Sequence, residues 1–285
     1  MGSNAVAGVG RTVRGVSRVG LLATGLLVVL SGLAALQGVG KVLVISWVAF
    51  AAMAGGAALG QVAAGSYPVR LVWGYGLASG AMVTSSAVFL LPQAIGLEPR
   101  VGGFGVAAGL LVGYGAHVVG HRFAHVEVGL DLTAAQITAH ALSAGLIIGL
   151  VYTSMPALSL LLGLAIVSHK GPAGYAAARR LSDAGEPVSV LLLPSAGVGL
   201  TAIPAALLQP PSTPVVNAAI FGFAAGVFLH IAMDFLLECE VGGEVSEAAG
   251  VEADAHALLD RLRVHAVAST ASGALAVFAA WVVVA

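Results

Sequence analysis

Five residues with side chains that can carry a charge lie in otherwise apolar stretches: His140, His169, Lys170, His230 and Asp234. A charged group at the centre of a bilayer costs about 2.5–3.5 kcal/mol on insertion scales, so such residues in membrane helices usually have a function. Neutral imidazole binds zinc and similar cations, and it also transfers protons. These positions therefore indicate an ion or proton pathway.

Two of the histidines stand in matching sequence frames. His140 begins the segment His-Ala-Leu-Ser-Ala-Gly and His169 begins His-Lys-Gly-Pro-Ala-Gly, so both fit the pattern H-x-x-[SP]-A-G. Pro172 lacks a backbone N–H and should interrupt its helix. Interrupted helices line the midplane ion sites of many transporters. The alternative is a pair of buried histidines that only hydrogen-bond to neighbouring helices.

His230 and Asp234 are four residues apart and should share one face of a helix. That face is expected to point into the bundle, because a carboxylate facing lipid is costly. The pair predicts a metal or proton site. The alternative is a buried ion pair, for which Lys170 is a candidate partner of Asp234.

A third histidine group follows the same four-residue spacing. His117, His121 and His125 would form one stripe if their helix continues, and histidines four apart can share a transition metal. The alternative is a polar helix face at the membrane surface.

The composition shows which elements must position these side chains. The chain has 285 residues, of which 59% are hydrophobic and 9% charged, against about 25% charged in soluble domains. Mean hydropathy is +1.00. This predicts an all-α, polytopic transmembrane helix bundle without a sizeable soluble domain. The net charge of −1 indicates no nucleic-acid partner. The single cysteine, Cys239, excludes an intramolecular disulfide and a cysteine-based zinc site.

Apolar runs of about 20 residues recur along the chain. They predict about nine helices in one transmembrane domain over 19–285, after a cytoplasmic tail at 1–18. The predicted spans are 19–39, 42–61, 71–95, 101–119, 132–153, 156–177, 187–208, 216–237 and 262–284. The first span follows several arginines, so a signal peptide is the alternative to a retained helix. The connection 238–261 is acidic and predicts a cytoplasmic loop, either simply solvated or weakly cation-attracting.

The distribution of basic residues predicts the orientation in a cell membrane. A cytoplasmic N-terminus puts nine arginines inside: Arg11, Arg14, Arg18, Arg70, Arg122, Arg179, Arg180, Arg261 and Arg263. Only Lys41 and Arg100 then lie outside. No H-E-x-x-H, phosphate-loop or G-x-S-x-G pattern occurs in the sequence, so an enzyme is not expected.

The ordered set of motifs resembles the ZIP (ZRT/IRT-like) family of divalent metal transporters over about residues 42–285. Segment 88–94, Val-Phe-Leu-Leu-Pro-Gln-Ala, is similar to the L-L-P-E-A end of the second core helix of that family. The two H-x-x-[SP]-A-G segments resemble its fourth- and fifth-helix motifs. Segment 224–230 with Asp234 resembles its seventh helix. The resemblance implies eight core helices plus an additional N-terminal helix.

The resemblance also implies a metal site with altered ligands. Only His140 and His169 match standard ligands of the family, and acidic positions are occupied by Ala141, Ala144, Lys170 and Ala173. The residue before Pro204 is Ile203, where the family usually has Glu. We hypothesise that Lys170 replaces one metal as a fixed positive charge, with Asp234 as a counter-ion.

The resemblance therefore implies a transporter that moves a divalent cation, with zinc the first choice, toward the cytoplasm. His140, His169 and Asp234 would line the route, and His117, His121 and His125 would receive the ion. Metal would be the substrate, with no tightly bound cofactor. The alternatives are a non-transporting relative that acts as scaffold or sensor, and a transporter of another substrate. Small residues at Gly55, Gly56 and Gly60 would permit a homodimer.

Overall fold

The computed structural model describes residues 16–63, 68–124, 132–154, 160, 163, 167–208, 213–237 and 256–284. All regular secondary structure within these ranges is helical. Lipid offers no hydrogen-bond partners to a backbone, so a spanning segment must satisfy its own amide and carbonyl groups, as a helix does. The all-α class predicted from composition is confirmed.

Ten α-helices are defined in the described ranges: α1 (Arg18–Leu36), α2 (Gly40–Val62), α3 (Pro68–Ser85), α4 (Leu91–Leu97), α5 (Pro99–Ala124), α6 (Leu132–Ser154), α7 (Lys170–Asp183), α8 (Leu192–Leu207), α9 (Pro214–Leu237) and α10 (His256–Val284). A π-helical turn, Ser86–Leu90, joins α3 to α4, and a 3₁₀ turn, Val188–Leu191, precedes α8. Seven helical segments in this part of the chain are long and apolar enough to cross a membrane.

Several helix boundaries differ from the predicted ones. The span predicted at 71–95 contains the π-helical turn instead of a continuous α-helix. Helix α10 begins at His256, inside the predicted acidic loop. The rest of that loop, 238–255, and residues 1–15 of the predicted tail lie outside the described residues. Hydropathy locates the apolar centre of a helix well. It does not show where the helix ends when polar residues continue the helix beyond the membrane.

The span predicted at 156–177 is interrupted. Ser168 and His169 form a turn, and α7 then runs from Lys170 to Asp183, past the predicted end. Pro172 lies in the first turn of α7, where its missing N–H removes no intrahelical hydrogen bond. The interruption expected from this proline is therefore present. Most of residues 155–166 lie outside the described ranges.

Helices α2, α6, α7 and α8 form a first four-helix bundle, and α1 packs against α8 and α2. The bundle contains two tightly packed pairs. In the α2–α7 pair, a Cβ atom at Gly56 would overlap the carbonyl of Gly171, and one at Gly174 would overlap Met53. In the α6–α8 pair, Thr201 Oγ1 donates to the Leu142 carbonyl at 2.6 Å. Small residues let these helix backbones approach closely.

Helices α3, α5, α9 and α10 form a second bundle built in the same way. In the α3–α10 pair, Gly76 and Gly80 lie against Ser269 and Thr270. In the α5–α9 pair, three glycines meet the facing backbone: Gly109 meets Phe223, Gly226 meets Val106, and Gly222 meets Gly102. Successive glycines on one helix of each pair meet successively later residues on the other, so all four pairs are parallel. The contacts that show this are Gly56–Gly171 and Gly60–Tyr175, Gly145–Val198 and Gly149–Ala202, Gly76–Ser269 and Gly80–Ala274, and Gly105–Ala219 and Gly109–Phe223.

The predicted small-residue face on α2 has a different role from the one expected for a homodimer. Gly56 and Gly60 are used inside the chain, against Gly171 and Tyr175 of α7. A Cβ atom at Gly55, by contrast, would have no neighbour within 4 Å. Two of the three glycines are therefore occupied by an intramolecular contact.

Candidate polar site between the two bundles

The two histidines with matching sequence frames come together. His140 lies within α6 and His169 immediately precedes α7, and their Nε2 atoms are 3.1 Å apart. At this distance one ring donates and the other accepts, with roles set by the tautomers. The same spacing also suits a shared cation, because two nitrogens bound tetrahedrally to one zinc at 2.0–2.1 Å would be about 3.3 Å apart.

Phe228 closes this pair from the second bundle. Its ring lies on α9, with its centroid 5.9 Å from that of His140 and 5.8 Å from that of His169, both in edge contacts. The histidine pair therefore lies where the first bundle meets the second. Sequence reasoning missed Phe228, since one aromatic residue in an apolar helix carries no distinguishing pattern.

Lys170 lies beside the histidine pair and is almost fully buried, with 1% of its surface exposed. It directly follows His169 in the chain, and its side chain lies within electrostatic range of His140. Neither Lys170 Nζ nor His140 Nδ1 has a hydrogen-bond partner among the described residues, although both atoms are buried. Buried polar atoms are normally satisfied, so such a pair is typical of a place where an ion, a proton or water is taken up.

The predicted pairing of Lys170 with Asp234 is wrong for the described structure. Asp234 Oδ2 lies 3.3 Å from His230 Nε2 on its own helix. His230 faces α5, where it packs against Gly113 and, ring to ring at 6.5 Å, against Tyr114. Two residues of helix turn its direction by roughly 200°, so His230 and Phe228 point to opposite sides of α9. The histidine–aspartate pair is therefore separate from the His140–His169 pair.

The third histidine group is only partly described. His117 and His121 lie on α5, which continues to Ala124, past the predicted end at 119, so the condition for a shared stripe is met for these two residues. Gly113 meets His230 in the parallel α5–α9 pair. The same register four residues later brings the backbone at position 117 level with Asp234. His125 lies outside the described residues.

The described residues do not form a multi-ligand metal centre. Within these ranges no group of three or more His, Cys, Asp or Glu side chains is placed to hold one ion. The site instead consists of two imidazoles, a buried lysine side chain and a phenyl ring. Such a donor set would hold a cation weakly, because no carboxylate balances its charge.

Arg179 behaves differently from the loop residue that the sequence predicted. It lies within α7, is 9% exposed, and its guanidinium donates to the Ala63 carbonyl just past the C-terminus of α2. Its Nη2 also lies 2.9 Å from Asp183 Oδ1. Through these contacts Arg179 links the C-terminal ends of α2 and α7. Its positive charge is favourable there, because the C-terminus of a helix carries a partial negative charge.

The fold and the buried polar site together define the class: a multi-pass α-helical membrane protein with a histidine pair between two helical bundles. Neither protein-family models nor curated protein sequences show a match to the chain. The ZIP resemblance therefore stays a prediction that rests on the order of the motifs.

Proposed function

We propose that this chain is a ZIP-like membrane transporter that moves a divalent metal cation, zinc first, toward the cytoplasm. The observation that carries the proposal is the 3.1 Å approach of His140 Nε2 to His169 Nε2 at the contact between the bundles. The two nitrogens come from different parts of the fold, one from α6 and one from the turn before α7. They converge on one point, as ligands of a shared ion must. Metal is the substrate here, with no tightly bound cofactor and no catalytic role.

The division into two bundles supports alternating access. His140 and His169 belong to the first bundle, and Phe228, which covers them, belongs to the second. Rocking of one bundle against the other is a common route for opening a midplane site to each side in turn. Movement of Phe228 away from the pair would expose both imidazoles.

The parallel pairs support the nine-span topology. Helices α6 and α8 run in the same direction, so the chain must return across the membrane between them, and α7 belongs to that return. The parallel pair of α5 and α9 also agrees with nine spans. In that topology both helices cross the membrane in the same direction as α2 and α7. With a cytoplasmic N-terminus, this topology puts Asp234 and position 117 near the inner membrane surface, where they would receive the departing ion.

Lys170 gives the site a specific character. A unit charge 4 Å from a cation repels it by about 4 kcal/mol at an effective dielectric of 20. When Lys170 is protonated, this repulsion favours brief occupancy of the site by a cation over tight binding, as a transported ion requires. Because Asp234 pairs with His230, it does not serve as the counter-ion in the arrangement described here.

Among the described residues, no carboxylate joins His140, His169 and Lys170, and this favours a second function. A ZIP-like chain that kept the fold and lost the ion path would act as a membrane scaffold or sensor. Lys170, buried without a hydrogen-bond partner among the described residues, would then serve packing. In a transporter of another substrate, the same side chain would draw an anionic or protonated solute instead of a metal.

Uptake into vesicles tests the choice. Purified full-length protein is reconstituted, and zinc, iron, manganese and cadmium entry is followed with an internal metal-sensitive dye. Zinc uptake by the wild type should fall roughly tenfold or more in His140→Ala plus His169→Ala, as expected for losing a few kcal/mol of ion binding. The matched control is His256→Ala plus His265→Ala on α10. Equal uptake by wild type and the first double variant contradicts the proposal, and no uptake by wild type favours the scaffold or sensor.

A further inference from the structure

A groove of about 620 Å³ opens on the side of the molecule, where α2 and α7 of the first bundle face α3 of the second. Its walls are almost entirely apolar and include Gly55, Leu59, Trp73, Leu77 and Pro172. The helices that form most of it, α2 and α3, are both long and apolar enough to cross a membrane. Lipid chains are therefore the medium at its mouth.

The groove exists because small residues remove side-chain volume from all three walls. Gly55 has open space around the position of a Cβ atom, and Gly74 and Gly171 lie in the other two walls. The neighbouring Gly56 is closed off by α7, so the space at Gly55 is a feature of the groove and not of loose helix packing.

One end of the groove is basic. Arg70, which is exposed, lies one turn before Trp73 on α3. The Trp73 indole N–H donates to His265 Nδ1 of α10 at 3.3 Å, so the ring is held in place along the groove. Because α3 and α10 are parallel, the exposed Arg261, one turn before His265, lies at the same end.

We propose that this groove binds one acyl chain of an anionic glycerophospholipid, with the phosphate of the head group at Arg70. The cavity volume lies within the 300–1,000 Å³ of typical ligand pockets. Basic residues at one end of an apolar inter-helix pocket match an anionic head group and its chain. Tryptophan beside the basic residue suits the boundary between head groups and hydrocarbon. The inference is independent of the transported substrate.

The groove also spans the contact between the bundles, because α2 and α7 belong to one and α3 to the other. A bound chain would therefore touch both bodies. A second copy of this protein is the competing occupant.

Tryptophan quenching by brominated lipid reports contact at the groove directly. The full-length variant Trp47→Phe plus Trp281→Phe keeps only Trp73, and it is reconstituted in phosphatidylcholine after its melting temperature is checked. Brominated-chain phosphatidylglycerol or brominated-chain phosphatidylcholine is then titrated in. Phosphatidylglycerol should reach half of its maximal quenching at an about fivefold lower mole fraction, the effect expected of one arginine near the membrane surface. Identical curves for the two lipids overturn the proposal.

Matched variants locate the effect. Gly55→Leu fills the groove and should remove the preference, whereas Gly25→Leu, at an equally open position on α1, should keep it. Arg70→Gln should remove the preference for phosphatidylglycerol while leaving quenching by phosphatidylcholine. A protein that keeps only Trp47 should show no preference, because Trp47 does not line the groove and its indole donates to Ser31 of α1 instead.

Two results count against lipid as the occupant. An unchanged preference in Gly55→Leu would mean that the groove does not hold the chain. A shift in the cross-linked dimer fraction in Gly55→Leu, at constant lipid, would mean that a second copy occupies it.

Discussion

His140 and His169 are 29 positions apart in the sequence, yet their Nε2 atoms lie 3.1 Å apart between two helical bundles. Because each ring is the partner of the other, we expect the two to act as a unit. His140→Ala or His169→Ala alone should reduce zinc uptake nearly as far as the double variant. The measurement is initial uptake rate in vesicles for all four proteins of the cycle. Reductions that simply add would show that the two rings act independently.

Lys170 should weaken cation binding at this pair by its charge. Lys170→Glu is expected to tighten zinc binding at least tenfold, because it removes a repulsion of several kcal/mol and adds a carboxylate. Lys170→Met removes the charge with little change in length and should give an intermediate affinity. Isothermal titration of the purified proteins with zinc measures the order. Equal affinities for all three would contradict the assigned role of Lys170.

Adjacent glycines on α2 should respond in opposite ways to the same substitution. Gly56→Ala should destabilise the protein by about 1–3 kcal/mol, since its Cβ atom would overlap the Gly171 carbonyl. Gly55→Ala should be neutral or stabilise by up to about 1 kcal/mol, because alanine favours helix and the space is open. Thermal unfolding in detergent, followed by intrinsic fluorescence, compares them. Similar melting temperatures would mean that α2 and α7 are not closely packed.

Two arginines with intrahelical aspartate partners differ in burial. Arg179→Ala should cost about 1–3 kcal/mol, because it removes a hydrogen bond from a charged donor to the Ala63 carbonyl. Arg263→Ala removes a pair whose side chains are 62% and 72% exposed, for which less than about 1 kcal/mol is expected. The same unfolding measurement compares the two variants. A larger loss of stability in Arg263→Ala than in Arg179→Ala would contradict the hydrogen bond from Arg179 to Ala63.

The orientation can be tested through the only cysteine. Cys239 follows α9 and lies outside the described residues, and the predicted topology puts it in the cytoplasm. A membrane-impermeant maleimide should label it in permeabilised cells and not in intact ones. Lys41→Cys in a Cys239→Ser background is the matched outside position and should be labelled in intact cells. The reverse pattern would invert the topology.

The helical class and the positions of most helices were predictable, because a 20-residue apolar run leaves the backbone few other solutions in lipid. The interruption before α7 was also predictable, since Pro172 cannot donate a backbone hydrogen bond. Helix ends were less so: α10 begins in polar sequence at His256, where hydropathy gives no indication.

The partners of the polar residues depended on the tertiary arrangement. The common frame of His140 and His169 indicated that they belong together, but not that Phe228 covers both. Lys170 was a candidate partner of Asp234, because opposite charges in a membrane should pair. In the structure Asp234 pairs with His230 instead. These two residues lie one turn apart on the same helix, so their pairing does not require a contact between the two bundles.

The sequence by itself determined that this protein is a bundle of apolar helices with a few polar residues inside, because that follows from composition and from the cost of burying charge. Only the tertiary structure decided which glycines pair helices, which one leaves a groove, and which polar side chains meet. In a chain with 39 glycines, many helix faces could pack closely. The choice among them depends on the mutual fit of surfaces distant in the sequence, which no local pattern contains.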